Sequence, residues 1–222
     1  MAGGRLKVAV LVSGRGSNLQ ALIDACAKAD FPAEIVRVIS NEADASGLDK
    51  AAEAGIPTAV VPHRDHPDRP AFEAELDKEI RAAGTELIAL AGFMRLLTEG
   101  FVDAWRDRLI NIHPSLLPAF KGLHTHERAI DAGVRFSGCT VHYVRPAMDE
   151  GPIIVQAAVP ILADDDADSL GARVLTQEHL IYSLALRLIG EGKVRVDGER
   201  AIVDEVNDQP TSTTINPSPP KV

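Results

Sequence analysis

The feature that most constrains this chain is an alternation of short, almost wholly apolar runs with stretches of helical spacing. "LKVAVLV" (6–12), "EIVRVIS" (34–40), "TAVVP" (58–62), "ELIALAG" (86–92) and "RLINIH" (108–113) read as strands. A run that is apolar at nearly every position cannot keep one face in water. The first and fourth runs therefore belong in a sheet covered on both sides. Between the runs, "SNLQALIDACAKA", "SGLDKAAEAG" and "RPAFEAELDKEIRAAG" show helical spacing, and two of them stop at a glycine. Strand–helix alternation of this kind predicts right-handed crossovers and an α/β fold with a doubly wound, mostly parallel sheet.

The pattern then changes. "FSGCTVHYV" (136–144) and "GPIIVQAAVP" (151–160) flank the short turn "RPAMDE", which predicts an antiparallel extension of the sheet near the C-terminus. "DSLGARVLTQEHLIYSLALRLI" (168–189) reads as one long helix capped by Gly190. The last stretch, "NDQPTSTTINPSPPKV", is rich in Pro, Ser and Thr with little to bury. One domain over 1–206 and a disordered tail over 207–222 are expected.

Charge and composition narrow the partners. A formal net charge of −9 opposes a nucleic-acid-binding surface, which needs clustered Lys and Arg. It leaves room for a small anion held in one pocket of donors. No stretch approaches the ~20 apolar residues that cross a bilayer, and no secretory leader pattern is visible, so no membrane partner and a cytoplasmic location are expected. Cys26 and Cys139 are far apart without CxxC spacing, which suits two buried, reduced thiols. The oligomeric state is open, a homodimer being one candidate.

Two stretches carry chemistry. In "VSGRGSNLQ" (12–20), Gly14, Gly16, Ser17 and Asn18 lie between a buried strand and a helix start. Free backbone N–H groups and the helix dipole suit a phosphate there. Leu19 stands where the dinucleotide fingerprint would have its third glycine, so that motif is not met. In "NIHPSLLPAFKGLHTH" (111–126), Asn111 and His113 alternate with Ile110 and Ile112, which puts both polar side chains on one face of a strand end. Pro114 and Pro118 then stop the strand and stiffen the loop. A carboxylate partner could come from Asp149 or Glu150 in the following hairpin turn.

Several motifs in order make the chain resemble the folate-dependent glycinamide ribonucleotide formyltransferases. They are "SGxGSNLQ" at 13–20, "SNxADAxGL" at 40–48, "LAGFMRLL" at 90–97, "NIHPSLLPxFxG" at 111–122, "GxTVHxV" at 138–144, "DxGPII" at 149–154 and "TQEHxIYxxAL" at 176–186. The resemblance implies a Rossmann-like formyltransferase fold and transfer of a formyl group from 10-formyltetrahydrofolate, a co-substrate, to the amine of glycinamide ribonucleotide in purine synthesis, without a metal. It implies that Gly16, Ser17 and Asn18 hold the acceptor's phosphate and that Glu178 contacts its ribose or glycinamide part. Arg69, Met94, Arg95, Leu96, Leu97 and Asn111 would line the folate site, with the 145–149 turn closing on the pterin. Asn111, His113 and Asp149 would form a catalytic trio. Arg15 and residues 145–148, "RPAM", depart from the family pattern; Arg15 would add a positive charge near the phosphate.

Other readings stay open at this stage. A 10-formyltetrahydrofolate hydrolase would use the same trio with water, but carries an added N-terminal domain, and only a few residues precede the first strand here. A methionyl-tRNA formyltransferase would need a basic RNA-binding domain. A non-catalytic nucleotide-binding module would not need Asn111, His113 and Asp149 together. Among other histidines, His124 and His126 lack further ligands for a metal, His63 and His66 are expected to be solvated, His179 to be structural, and His142 either near the site or on an exposed face.

Overall fold

The structure, a computed structural model, describes residues 4–204. The tail expected over 207–222 and the outer ends of the 1–206 span lie outside the described residues. Strand β1 (Leu6–Val12) shows why its apolar run is continuous. Val8, Val10 and Val12 are completely buried on one face of the sheet, against Leu19 and Leu22 of α1 (Ser17–Cys26) and Leu170, Val174, Tyr182 and Leu186 of α6 (Ala167–Gly190). Ala9 and Leu11 are completely buried on the other face, against Phe72, Leu76 and Ile80 of α3 (Arg69–Ala82) and Trp105. Two apolar layers thus grip one strand from both sides, as a parallel sheet requires.

The remaining elements are β2 (Ala33–Ser40), α2 (Ser46–Glu53), β3 (Thr58–Val60), β4 (Leu87–Leu90), α4 (Glu99–Ala104), β5 (Leu109–His113), α5 (Thr125–Asp131), β6 (Phe136–Tyr143) and β7 (Ile153–Pro160). The seven-stranded sheet has the order β3-β2-β1-β4-β5-β6-β7. Its first five strands are parallel, and β6 and β7 each run antiparallel to the strand before. The sequence-based fold class is therefore what the chain adopts. The helix starts follow local chemistry: Asp68 accepts from the Ala71 N–H at 2.9 Å to cap α3, and Asp166 with Ser169 forms a reciprocal capping box at α6.

Strand order reverses between β1 and β4, so the chain leaves their carboxyl ends in opposite directions and opens a crevice there. Backbone and side-chain hydrogen bonds bridge the two diverging loops. Ser13 N–H donates to Gly92 O at 3.1 Å, and Met94 N–H donates to Ser13 Oγ at 2.8 Å. Tyr182, completely buried on α6, donates from its hydroxyl to Leu90 O at 2.9 Å. No helix among the described residues is long and apolar enough to cross a membrane.

Several expectations need correction. Gly190 is the last residue of α6 rather than its cap; the left-handed residue is Gly192, with φ of 69°. Gly190 instead lies against Pro32, where a Cβ would come within 3.0 Å of the ring. A second hairpin, β8 (Val194–Asp197) and β9 (Arg200–Val203), was not anticipated, nor were the short helices α4 and α5. His63 and His66 are half-buried rather than freely solvated: His63 Nδ1 lies 3.2 Å from Asn41 Nδ2, and the His66 ring packs on Phe72 at a centroid distance of 6.0 Å.

Replacing Tyr182 by Phe removes one buried donor while keeping the ring. It is expected to cost about 1–2 kcal/mol, lowering the thermal midpoint by roughly 2–8 °C for a chain of this size. An unchanged midpoint in a calorimetric scan would show that the hydroxyl does not hold the end of β4.

Candidate active site

The crevice continues into a cleft of about 680 Å³ walled by the loops after β4, β5 and β6 and closed on one side by α6. Register builds its floor. On β5, Ile110 and Ile112 are buried in the core, while Asn111 and His113 face the cleft. Asn111 lies opposite His142 of β6, and His113 lies opposite Thr140.

The cross-strand pair orients Asn111. His142 Nδ1 donates to Tyr143 O at 3.0 Å, so its Nε2 is left as an acceptor, 3.4 Å from Asn111 Nδ2. Burial lowers the His142 pKa, which keeps this ring neutral and able to accept. One amide N–H of Asn111 is thereby fixed, and the second is free for a ligand. His142, which the sequence left between site and surface, is a buried residue of the site floor.

The proline loop after His113 is held from β6 and β7. Thr140 Oγ1 accepts from Leu117 N–H at 3.1 Å and donates to Ser115 O at 2.7 Å. Gln156 Nε2 donates to Leu117 O and to Thr140 Oγ1, both at 3.0 Å. The loop returns to place Phe120 O 3.0 Å from His113 Nε2, which makes that nitrogen a donor. His113 Nδ1 lies 3.4 Å from Asp149 Oδ1. Both ring nitrogens thus face acceptors, and a doubly protonated ring would satisfy both. The second Asp149 oxygen accepts from Gly122 N–H at 2.7 Å, and Lys121 Nζ meets Glu150 at 2.5 Å, so the two loops are laced together. Of the two carboxylates that the sequence offered to His113, the structure brings Asp149.

On the opposite wall, Asn18 Nδ2 donates to Glu178 Oε2 at 2.7 Å in a buried pair. Burial raises the Glu178 pKa, and the Asn18 bond opposes that shift only in part. Asn18 Oδ1 has no partner among the described residues. Gly16 adopts φ of 65°, and a Cβ there would stand 2.8 Å from Gly47 Cα. Only glycine meets both demands. The structure separates the three residues expected to hold a phosphate: Asn18 lines the cleft, while Ser17 lines a shallower groove between α1 and α6 with Gln20, Asp24 and His179.

Met94, Arg95, Leu96 and Leu97 line the cleft, Met94 and Leu96 with exposed side chains. Arg69 does not; it is the exposed first residue of α3, outside the lining. Met148, in the 145–149 turn expected to close on the pterin, adds exposed apolar lining, and so does Leu123, which the sequence did not single out although a large apolar residue beside Gly122 was a visible signal. His124 and His126 do not act as a pair. Both line the cleft, but His124 is exposed near Glu127, whereas His126 has a buried Nδ1 without a partner among the described residues. No group of three or more His, Cys, Asp or Glu suited to a metal occurs among the described residues. Burial pushes the thiols of Cys26 and Cys139 up to about 11 and about 12, which makes both unreactive.

This geometry can be set beside known proteins. The formyl transferase family profile matches residues 6–186. The phosphoribosylglycinamide formyltransferase of Escherichia coli is 44% identical over 90% of this chain and 94% of its own length. The trifunctional purine biosynthetic protein adenosine-3 of Drosophila pseudoobscura is 54% identical over 86% of this chain, which spans 14% of that protein. Among solved structures, glycinamide ribonucleotide transformylase 1 of Symbiobacterium toebii superimposes with a TM-score of 0.88 at 44% identity, covering 90% of this chain and 95% of that one. With sequence, superposition and near-complete coverage in agreement, the chain belongs to the formyl transferase family, among the phosphoribosylglycinamide formyltransferases.

Proposed function

We propose that the protein transfers the formyl group of 10-formyltetrahydrofolate to the amine of glycinamide ribonucleotide, a step of cytoplasmic purine biosynthesis. The observation that carries this reading is the meeting of Asn111, His113 and Asp149 in one cleft at the reversal of strand order. Attack of the amine on the formyl carbon forms a C–N bond and puts negative charge on the formyl oxygen. The free amide N–H of Asn111 stabilises that charge, joined by the His113 Nε2 proton once it exchanges Phe120 O for the formyl oxygen. The bond to the folate nitrogen then breaks, that nitrogen takes up a proton, and the attacking amine loses one. Asp149, beside His113, assists this exchange.

The apolar side chains Met94, Leu96, Leu123 and Met148 suit the flat, largely apolar rings of a folate, and Arg95 suits its carboxylates. The first-turn N–H groups of α1 suit the phosphate of the acceptor, with Ser17 beside them. Glu178 suits the ribose or glycinamide part, which would compete with Asn18 for its carboxylate.

His113→Ala and Asp149→Asn are each expected to lower kcat by about 100-fold or more with smaller changes in KM. The double variant should be much less impaired than the product of the two losses, because both act on one proton path. Steady-state assays of tetrahydrofolate release check this, and release without glycinamide ribonucleotide would turn the reading toward a hydrolase.

Glu178→Gln keeps an acceptor for Asn18 and removes a buried charge. A carboxyl whose folded pKa is raised stabilises the fold below its unfolded value of about 4.5 and loses that contribution as pH rises through the folded value. The variant should therefore gain thermal midpoint over the wild type at pH 8 but not at pH 4, while its KM for glycinamide ribonucleotide rises. Equal midpoints at both pH values would remove the burial argument, and an unchanged KM would remove the contact.

A further inference from the structure

The loop that carries Asp149 to His113 is fastened at its base by a buried guanidinium. Arg145 is 7% exposed, and each of its three nitrogens donates a hydrogen bond. Nε donates to Glu199 Oε2 at 2.9 Å, Nη2 to Asp107 Oδ1 at 2.8 Å, and Nη1 to Val144 O at 3.2 Å. The two carboxylates come from separate places. Asp107 sits in the turn before β5 with φ of 57°, and Glu199 lies in the turn between β8 and β9. The other Glu199 oxygen accepts from Arg106 at 3.2 Å, which fixes the carboxylate in turn.

The returning limb of the loop crosses this arginine closely. A Cβ on Gly151 would stand 2.9 Å from Arg145 Cγ and 2.1 Å from Tyr143 O. Arg145 therefore lies between the two limbs, four positions before Asp149, and also lines the cleft. The tip of the loop has its own ties, through Gly122 and Lys121. With both ends fixed, the Asp149 carboxylate has little freedom relative to His113. The β8–β9 hairpin lies beyond residue 186, where the family profile ends.

We propose that Arg145, gripped by Asp107 and Glu199, is a positioning residue that sets Asp149 against His113 and shapes the folate side of the cleft. The C-terminal hairpin thereby takes part in catalysis although none of its residues lines the cleft. A planar guanidinium suits this task because it fixes two carboxylates in defined directions, which a lysine cannot do. The proposal rests on the assignment of Asp149 to catalysis.

The test uses the full chain with the double substitution Asp107→Asn and Glu199→Gln. Both side chains are partly exposed, at 42% and 61%, so the fold is expected to survive their change. The expected result is a kcat about fivefold or more lower and a KM for 10-formyltetrahydrofolate about threefold or more higher, with the KM for glycinamide ribonucleotide unchanged. A merely structural role would lower the thermal midpoint without moving the two KM values apart. Kinetics within about twofold of wild type, or equal change in both KM values, would overturn the proposal. Asp149→Asn is measured in parallel. If it retains full turnover, the catalytic assignment fails and the fastening has nothing to position; if it loses turnover while the double variant does not, only the fastening fails.

Discussion

Where β1 and β4 part, two neighbouring strands stop sharing a ladder, and their last backbone groups need other partners. Ser13 and Tyr182 supply them, by bonding across the gap to Gly92 and Met94 and by capping Leu90. Everything that follows depends on this repair. It lets two loops diverge without leaving polar groups stranded, and it fixes the width of the opening between them. The chain places Asn18 on one side and the 93–97 segment on the other.

Electrostatics within the opening is decided mainly by burial. The same loss of water raises the pKa of Glu178 and lowers those of His142 and His126, so each is pushed toward its uncharged form. A neutral His142 can accept from Asn111, which a cationic ring could not. The floor is therefore a place of oriented dipoles rather than of paired charges, while His113 and Asp149 keep a direct contact at its edge. Such an arrangement needs little rearrangement when charge develops on a bound oxygen.

Much of the fold was legible because buried parallel strands have an unmistakable composition. Seven strands and four helices could be read from apolar runs, alternation and helical spacing, and Asn111 with His113 from period-two alternation. What escaped depended on other physics. The pairing of Asn111 with His142 is set by antiparallel register next to an irregularity between Val141 and His142, which a single strand cannot display. Helices α4 and α5 span only six and seven residues, too short for a periodic signal. The β8–β9 hairpin was readable, since "VRVDGERAIV" alternates around an Asp-Gly dipeptide, a strong short hairpin signal, although the turn itself is Gly198-Glu199. Arg69 came from the resemblance alone, and local structure leaves it on the surface. The separation of Ser17 from Asn18 follows from the helical turn itself, which sends adjacent side chains about 100° apart.

Asp149 has a backbone φ of 51°, a left-handed conformation in a residue that is not glycine. Asparagine and aspartate enter that region at lower cost than other side-chain-bearing residues, and β-branched residues barely enter it. The position thus passes two sieves in sequence, one of shape and one of charge. Shape alone admits Gly, Asn and Asp, and only the last brings a negative charge. An alanine at this site would register backbone strain and lost chemistry in the same measurement, so historical or laboratory variants there are readable only through the asparagine and glycine forms. The loop's curvature has narrowed the alphabet before the reaction has any say.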